Sequence, residues 1–324
     1  MSYRLLFASL LLLSAACTSQ PKEEQEPVAL AEHWYWDAAW SPDGRYILAG
    51  GTGDTLRLFD AESYQQVQEY VFPGMVTKIK WHPDSKRAAI AMQGGQSPSM
   101  ILHHESRQVI LLDSLDSFGA RAIGWNHDGS RLAVGDYRGN LSIYDTHGKL
   151  LQQVPTGQKA LIALSWQPGS QQILTVGDHI TLYTTDGDSL LHIEDRKEAT
   201  LMLTADWHPS GAFFVTGDYG DFEKGYPPLL LYCKATGEVF KTLTQGEKEY
   251  RNICWSPDGL SLAIAGGGLA RYNSDGTLLG WVAKEQTTWG VNWSPDGKRL
   301  VTTSRDGSIT IWNRDLSKVQ DLQF

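Results

Sequence analysis

Few residues in this chain of 324 are arranged for covalent chemistry. Its nine histidines are scattered. His82, His127 and His208 follow a tryptophan by one or two places, in turns where a polar residue is the ordinary choice. His103 and His104 are neighbours, so on a strand they point to opposite faces and cannot share a metal. No H-E-x-x-H, C-x-x-C, G-x-S-x-G or Walker spacing occurs. Gly266-Gly267-Gly268 is not followed by a helix and so reads as a shortened loop, not a phosphate cradle. The carboxylate pairs Asp186/Asp188 and Asp218/Asp221 fall in loops, where solvated turn acids are far commoner than the spaced pairs of glycoside hydrolysis. No catalytic residue, metal or cofactor is expected, and hence no enzyme.

Positioning elements come next. Twelve Trp, 32 Gly and 13 Pro suit many short strands joined by tight turns. Apolar residues make up 41%, enough for a large core. The formal charge is −9, with no basic run or stripe, so nucleic acid is not an expected partner.

Residues 1–16 read as a secretory leader: Arg4, an apolar run from Leu5 to Leu13, and Ser14-Ala15-Ala16 before Cys17. Nine residues rise only about 14 Å as a helix, too short to span a bilayer. Small residues followed at once by cysteine resemble the lipobox of bacterial lipoproteins, in which the cysteine is lipid-modified and becomes the new N-terminus. Ser14 stands where leucine is usual, so plain secretion remains open beside lipidation of Cys17. Residues 17–31 comprise that cysteine and an acidic tether; its fourteen residues from Thr18 to Ala31 reach roughly 50 Å when extended. The cluster Lys22-Glu23-Glu24-Gln25-Glu26 resembles the surface-export signals of some Bacteroidetes-type lipoproteins, and reads equally as a solvated linker. Cys233 and Cys254 are an even pair that in an exported protein permits a disulfide without requiring one, and they read as two free, packed thiols.

Internal repetition organises residues 32–324. Trp40, Trp81, Trp125, Trp166, Trp207, Trp255 and Trp293 lie 41, 44, 41, 41, 48 and 38 residues apart. Trp-Ser-Pro-Asp-Gly opens the turn at 40–44, 255–259 and 293–297, with close variants at the other four. Proline sets φ, Asp bonds its own backbone and Gly accepts positive φ, so the motif encodes a reversal between strands. A short apolar strand follows each turn. A further strand then ends in Phe59, His104, Tyr144, Tyr183, Tyr232, Tyr272 or Trp312. Before each anchor, positions −5 and −2 are almost always apolar, as in Tyr35/Ala38 and Val76/Ile79, which fits an inner strand wedged between layers.

Four strands every forty-odd residues resemble the WD-repeat proteins. The closest local match is Ser304-Arg305-Asp306-Gly307-Ser308-Ile309-Thr310-Ile311-Trp312-Asn313, with Asp306 at the family's structural turn aspartate. The resemblance implies an all-β, seven-bladed propeller of four antiparallel strands per blade. No Gly-His pair precedes the repeats, so the family's side-chain network should be incomplete. The turns also resemble six-bladed propellers of TolB type, but seven anchors argue against six blades. Two closures are open: residues 318–324 as the outer strand of blade 7, or residues 28–32 in that place.

Partner contacts in WD-repeat proteins gather on the upper rim, typically four and six places before the anchor. The resemblance therefore points to Trp34, Trp36, Arg121, Glu249, Arg251 and Trp289, with Arg305 beside them. Blades 7 and 1 adjoin in a closed ring, so Trp34, Trp36 and Trp289 should cluster, either as a contact surface or as a channel plug. The long upper loop of blade 5 adds Tyr219, Phe222 and Tyr226. The expectation is a non-catalytic, monomeric interaction module, lipid-anchored in the bacterial envelope at the outer membrane, periplasmic or surface-exposed. It would hold an envelope protein on its upper face. A glycan- or small-ligand-binding propeller is the alternative.

Overall fold

The structure, a computed structural model, describes residues 33–324 apart from 95–97, 114, 116, 194–199, 222 and 245–248. The leader, Cys17, the tether, residues 28–32 and Phe222 lie outside the described residues.

The tryptophan turns reverse the chain as their residues require. Ser41 Oγ donates to Asp43 Oδ1 (2.6 Å) and accepts the Tyr46 amide (3.0 Å). The same serine–aspartate bond recurs at Ser256–Asp258 (2.5 Å) and Ser294–Asp296 (2.6 Å). Gly44, Gly259 and Gly297 close these turns at positive φ, where a Cβ would be strained. Each turn feeds an antiparallel pair, and two more strands complete the sheet.

Among the described residues, twenty-eight strands, β1–β28 in chain order, form seven four-stranded sheets. The inner strands are β1 (Tyr35–Trp40), β5 (Met75–Trp81), β9 (Ala120–Trp125), β13 (Ala163–Trp166), β17 (Met202–Trp207), β21 (Asn252–Trp255) and β25 (Thr288–Trp293). Within every sheet the strands lie in chain order from the axis outwards. The protein is an all-β, seven-bladed propeller. Blade 7 takes its outer strand from local sequence, since β28 (Lys318–Asp321) pairs with β27 (Ile309–Asn313). Beyond β28 the chain crosses to blade 1. Leu322 is buried in the core shared by blades 1 and 7, and Phe324 meets the Tyr35 ring edge-on at 5.2 Å.

The core is a ring of seven interfaces, not one centre. Each apolar cluster draws on two adjacent blades, as with Leu48, Leu56 and Leu58 of blade 1 against Val76, Ile79 and Trp81 of blade 2. All seven anchors and every residue at −5 and −2 are buried, as the period-two pattern requires. Close approach dictates composition here. A Cβ on Gly50 would stand 2.7 Å from Val76 Cβ, and one on Gly217 would stand 2.7 Å from Tyr250 Cβ.

Seams between inner strands need polar ties, because backbone ladders run within blades and not between them. Channel-facing side chains supply several. Asp37 Oδ2 accepts the Ile79 amide (2.9 Å), Ser165 Oγ the Trp207 amide (3.3 Å) and Asp206 Oδ2 the Trp255 amide (3.0 Å). Thr77 Oγ1 donates to the Ala120 carbonyl (2.8 Å), and Asn292 Nδ2 to that of Ala38 (2.6 Å). From blade 3 to 4 and from 6 to 7 the residue before the anchor is Gly124 or Cys254, and the next anchor's indole makes the tie, as Trp81 Nε1 also does to the Ala39 carbonyl (3.0 Å) beside the Asp37 tie. Trp166 Nε1 donates to the Gly124 carbonyl (2.8 Å) and Trp293 Nε1 to that of Cys254 (3.0 Å). Trp40, Trp125, Trp207 and Trp255, whose seams carry a side-chain tie, keep buried indole nitrogens without a hydrogen bond. Each tie contributes about 1 kcal/mol.

Candidate functional site

The upper mouth is built by β-bulges. Register skips one residue between Tyr35 and Asp37, Val76 and Lys78, Met202 and Thr204, and Thr288 and Gly290. A further skip falls between Ala120 and Ala122. The extra residue is Trp36, Thr77, Leu203, Trp289 or Arg121, four places before its anchor. A bulge frees one residue from the alternation and re-aims its side chain. With Ile162 and Arg251, which occupy the same place in blades 4 and 6, these residues line the top of the channel.

Two indoles close that top. Trp36 and Trp289 stack with ring centroids 4.5 Å apart and planes tilted 31°. The Arg121 guanidinium lies 5.1 Å from the Trp36 ring and that of Arg251 lies 4.2 Å from Trp289. Arg251 also approaches the Tyr219 ring (5.3 Å) and pairs with Glu249 at 2.7 Å. The result is a ladder, Arg121–Trp36–Trp289–Arg251–Tyr219, spanning blades 3, 1, 7, 6 and 5. Trp34 and Arg305 meet beside it at 6.0 Å. The Trp36 and Trp289 rings are engaged by each other and by guanidiniums, which makes them the roof of the channel. Among the expected contact residues, the exposed ones are Arg305, Tyr219 and Tyr226.

The blade 5 loop is pinned at both ends. Asp218 is 2% exposed, and its Oδ1 accepts the amides of Gly220 (3.0 Å) and Leu229 (2.8 Å). Its burial corrects the reading of this acid as a solvated turn carboxylate. Asp221 and Tyr226 exchange two backbone hydrogen bonds of 2.8 Å, making the loop a small hairpin.

Beneath the roof the channel is charged. Lys78 and Lys80 alternate with buried residues on β5, so both point inwards. Lys78 Nζ reaches Asp37 Oδ1 at 3.5 Å, and desolvation holds its pKa below the usual lysine value. Burial pushes the Asp206 carboxyl up and the Arg121 guanidinium down. It also raises the Cys254 thiol to about 11, so this cysteine is an unreactive thiol at neutral pH. Cys233 is buried in the core shared by blades 4 and 5, and Cys254 lies on the inner strand β21. Among the described residues no group of three or more His, Cys, Asp or Glu is placed to hold a metal ion.

The lower face carries ties that sequence reasoning missed. His82 Nε2 lies 3.0 Å from the Gly129 carbonyl, and His208 Nε2 lies 3.0 Å from that of Gly259. Gln167 Nε2 donates to the Gly211 carbonyl (2.8 Å). In each case the residue after the anchor reaches the glycine of the next blade's turn. The signal was present as a polar residue at that place, but its reach across 44 to 51 residues was not. Asp306 accepts the Ser308 amide (2.9 Å) as a turn aspartate, and Trp312 Nε1 donates to Thr302 Oγ1 (2.8 Å).

Comparison with known proteins agrees with this architecture. The chain is 28% identical over 57% of its length to mouse echinoderm microtubule-associated protein-like 3, covering 21% of that protein. It is 27% identical over 58% of its length to Drosophila melanogaster actin-interacting protein 1, covering 32%. With the anaphase-promoting complex subunit cdc20 of Dictyostelium discoideum it shares 25% identity over 83% of its length, covering 52%. The chain thus spans from about a fifth to about half of these relatives. The WD domain, G-beta repeat family matches residues 281–313. The WDR19 first beta-propeller family matches residues 36–210, more than half of the chain. Seven four-stranded blades and that match together mean that the chain belongs to the WDR19 first beta-propeller family of WD-repeat propellers.

Proposed function

We propose that this protein is a non-catalytic interaction module that holds a protein partner against the upper face of its propeller. The carrying observation is the uneven distribution of side chains at the mouth. Arginines and aromatics gather on blades 5, 6, 7 and 1, with Arg121, Arg138 and Phe118 as a further group on blade 3, and Arg305, Tyr219 and Tyr226 remain exposed around the Trp36–Trp289 roof. Arg and Tyr are residue types that dominate interface hot spots, at about 2 kcal/mol or more each when truncated. The names of the relatives agree: one is microtubule-associated, one actin-interacting, one a subunit of a complex.

The module is anchored in a bacterial envelope through a lipid on Cys17, with residues 18–31 as tether. Support for this part is the leader itself, an apolar run followed by Ser14-Ala15-Ala16-Cys17. Crosslinking intact envelopes, followed by mass spectrometry, tests the docking face. An Arg305→Glu/Tyr219→Ala variant should lose a protein that the wild type captures. Equal capture by both overturns the upper-face assignment. For the anchor, Cys17→Ala should move the protein from the membrane pellet to the soluble fraction, and an unchanged distribution overturns lipidation.

A further inference from the structure

We infer that the upper channel is a binding site for one small oxyanion, a carboxylate or a phosphate, with Lys80 as its principal ligand and Arg121 in its roof. Beneath the Trp36–Trp289 stack lies a cavity of about 50 Å³. One water occupies about 10–15 Å³ by this measure, so the cavity holds a few waters or one such ion. Four cations line it, Lys78, Lys80, Arg121 and Arg251, and among carboxylates only Asp206 does.

Two of those cations are already neutralised. Lys78 is paired with Asp37 and Arg251 with Glu249. Among the described residues, Lys80 and Arg121 meet no carboxylate within 4.0 Å. Asp206 attracts Lys80, and Arg121 donates a hydrogen bond to the Tyr137 hydroxyl without being neutralised, so the four cations face three carboxylates and one positive charge, that of Arg121, is left over. One Asp206 oxygen accepts Ser165 Oγ and the other the Trp255 amide, so it serves the seam between blades 4, 5 and 6. Charge held away from bulk water without a counter-charge is costly, and an anion drawn into the cavity relieves that cost.

The donors suit an oxyanion better than a halide. An ammonium, a planar guanidinium and the amide of Asn252 face one space from blades 2, 3 and 6, and can meet several oxygens of one ion. Access does not require the roof to open. Lys80 also lines a depression of about 280 Å³ on the lower face, with Trp81, Trp125 and Trp166 around it. Lys80 and Leu164 line both spaces, so entry from below is part of the proposal, and the site does not depend on any partner at the upper face.

Equilibrium dialysis of the purified propeller against labelled inorganic phosphate and labelled acetate tests this, with chloride held at constant ionic strength. The wild type should retain about one equivalent of the preferred ion. Its melting midpoint should rise by about 2 °C at a tenfold excess over Kd. The preferred ion identifies the chemical class. Lys80→Met should abolish retention, Arg121→Met should weaken it at least tenfold, and Lys298→Met on the outer lower turn should leave it unchanged. Failure of the wild type to retain either ion overturns the proposal. So does undiminished retention in a folded Lys80→Met or Arg121→Met protein.

Discussion

The two ends of the channel are made from the same seven repeats and use them in opposite ways. At the lower end the Trp turns are near-copies, and the residue after the anchor reaches the next blade's glycine at several seams. At the upper end the equivalent bulged or loop positions hold Trp36, Thr77, Arg121, Ile162, Leu203, Arg251 and Trp289, five residue types with only Trp and Arg recurring. The lower end is constrained because each turn is a structural partner of the next. Bulged residues at the upper end lie outside the ladder, so they vary without breaking a blade. Regularity here marks what holds the ring, and irregularity marks the positions that are free to differ from blade to blade.

That contrast can be broken by mutation. Trp207→Ala removes an anchor that is 3% exposed within the core of blades 4 and 5, and should cost about 3–5 kcal/mol in urea unfolding. Next in size is Gly50→Ala, whose new methyl would press on Val76 and cost about 1–3 kcal/mol. Adding Val76→Ala should recover part of that loss, which a double-mutant cycle measures. Trp36→Ala removes a half-buried roof ring, its stacking and its guanidinium contact, for about 1–2 kcal/mol. A roof loss as large as the anchor loss would refute the division between the two ends.

Smaller effects sharpen the comparison. On the lower face Arg314 binds Asp258 at 2.7 Å, and that hydrogen bond holds the carboxyl below the usual carboxylate range. A group whose folded pKa is depressed contributes stability in full above its unfolded value of about 3.9 and loses it as pH falls through the folded one. Arg314→Gln should therefore flatten the acid limb of the stability profile while costing less than about 1 kcal/mol at pH 7, since the pair is partly exposed. Smallest of all, Arg305→Glu should change unfolding by no more than about 0.5 kcal/mol while abolishing partner capture. A large stability loss at Arg305 would turn an exposed contact residue into a structural one.

Much of this was legible in the chain. Seven spaced tryptophans, the turn motif and the apolar pairs at −5 and −2 specify seven blades, because turn chemistry and strand period are local. Trp34, Trp36, Trp289, Arg251, Glu249 and Arg305 were placed at one mouth by counting back from anchors, and ring closure then brought blades 7 and 1 together. The roles of Trp36 and Trp289 were not legible. Contact and plug need the same residue types, and the 4.5 Å stack joins residues of the first and last blades that only ring closure brings together. Asp218 was misread for a similar reason. A loop acid and a buried acceptor of two amides look alike until the loop's two ends are seen to converge.

The sequence by itself determined the number of blades, their strands, their core faces and the reversal at each turn, since these follow from interactions among residues close in the chain. Tertiary structure alone decided which side chain ties each seam, which indoles roof the channel and which cations gather beneath that roof. Those depend on groups forty to two hundred and fifty residues apart, such as Asn292 and Ala38, brought together only when the ring closes.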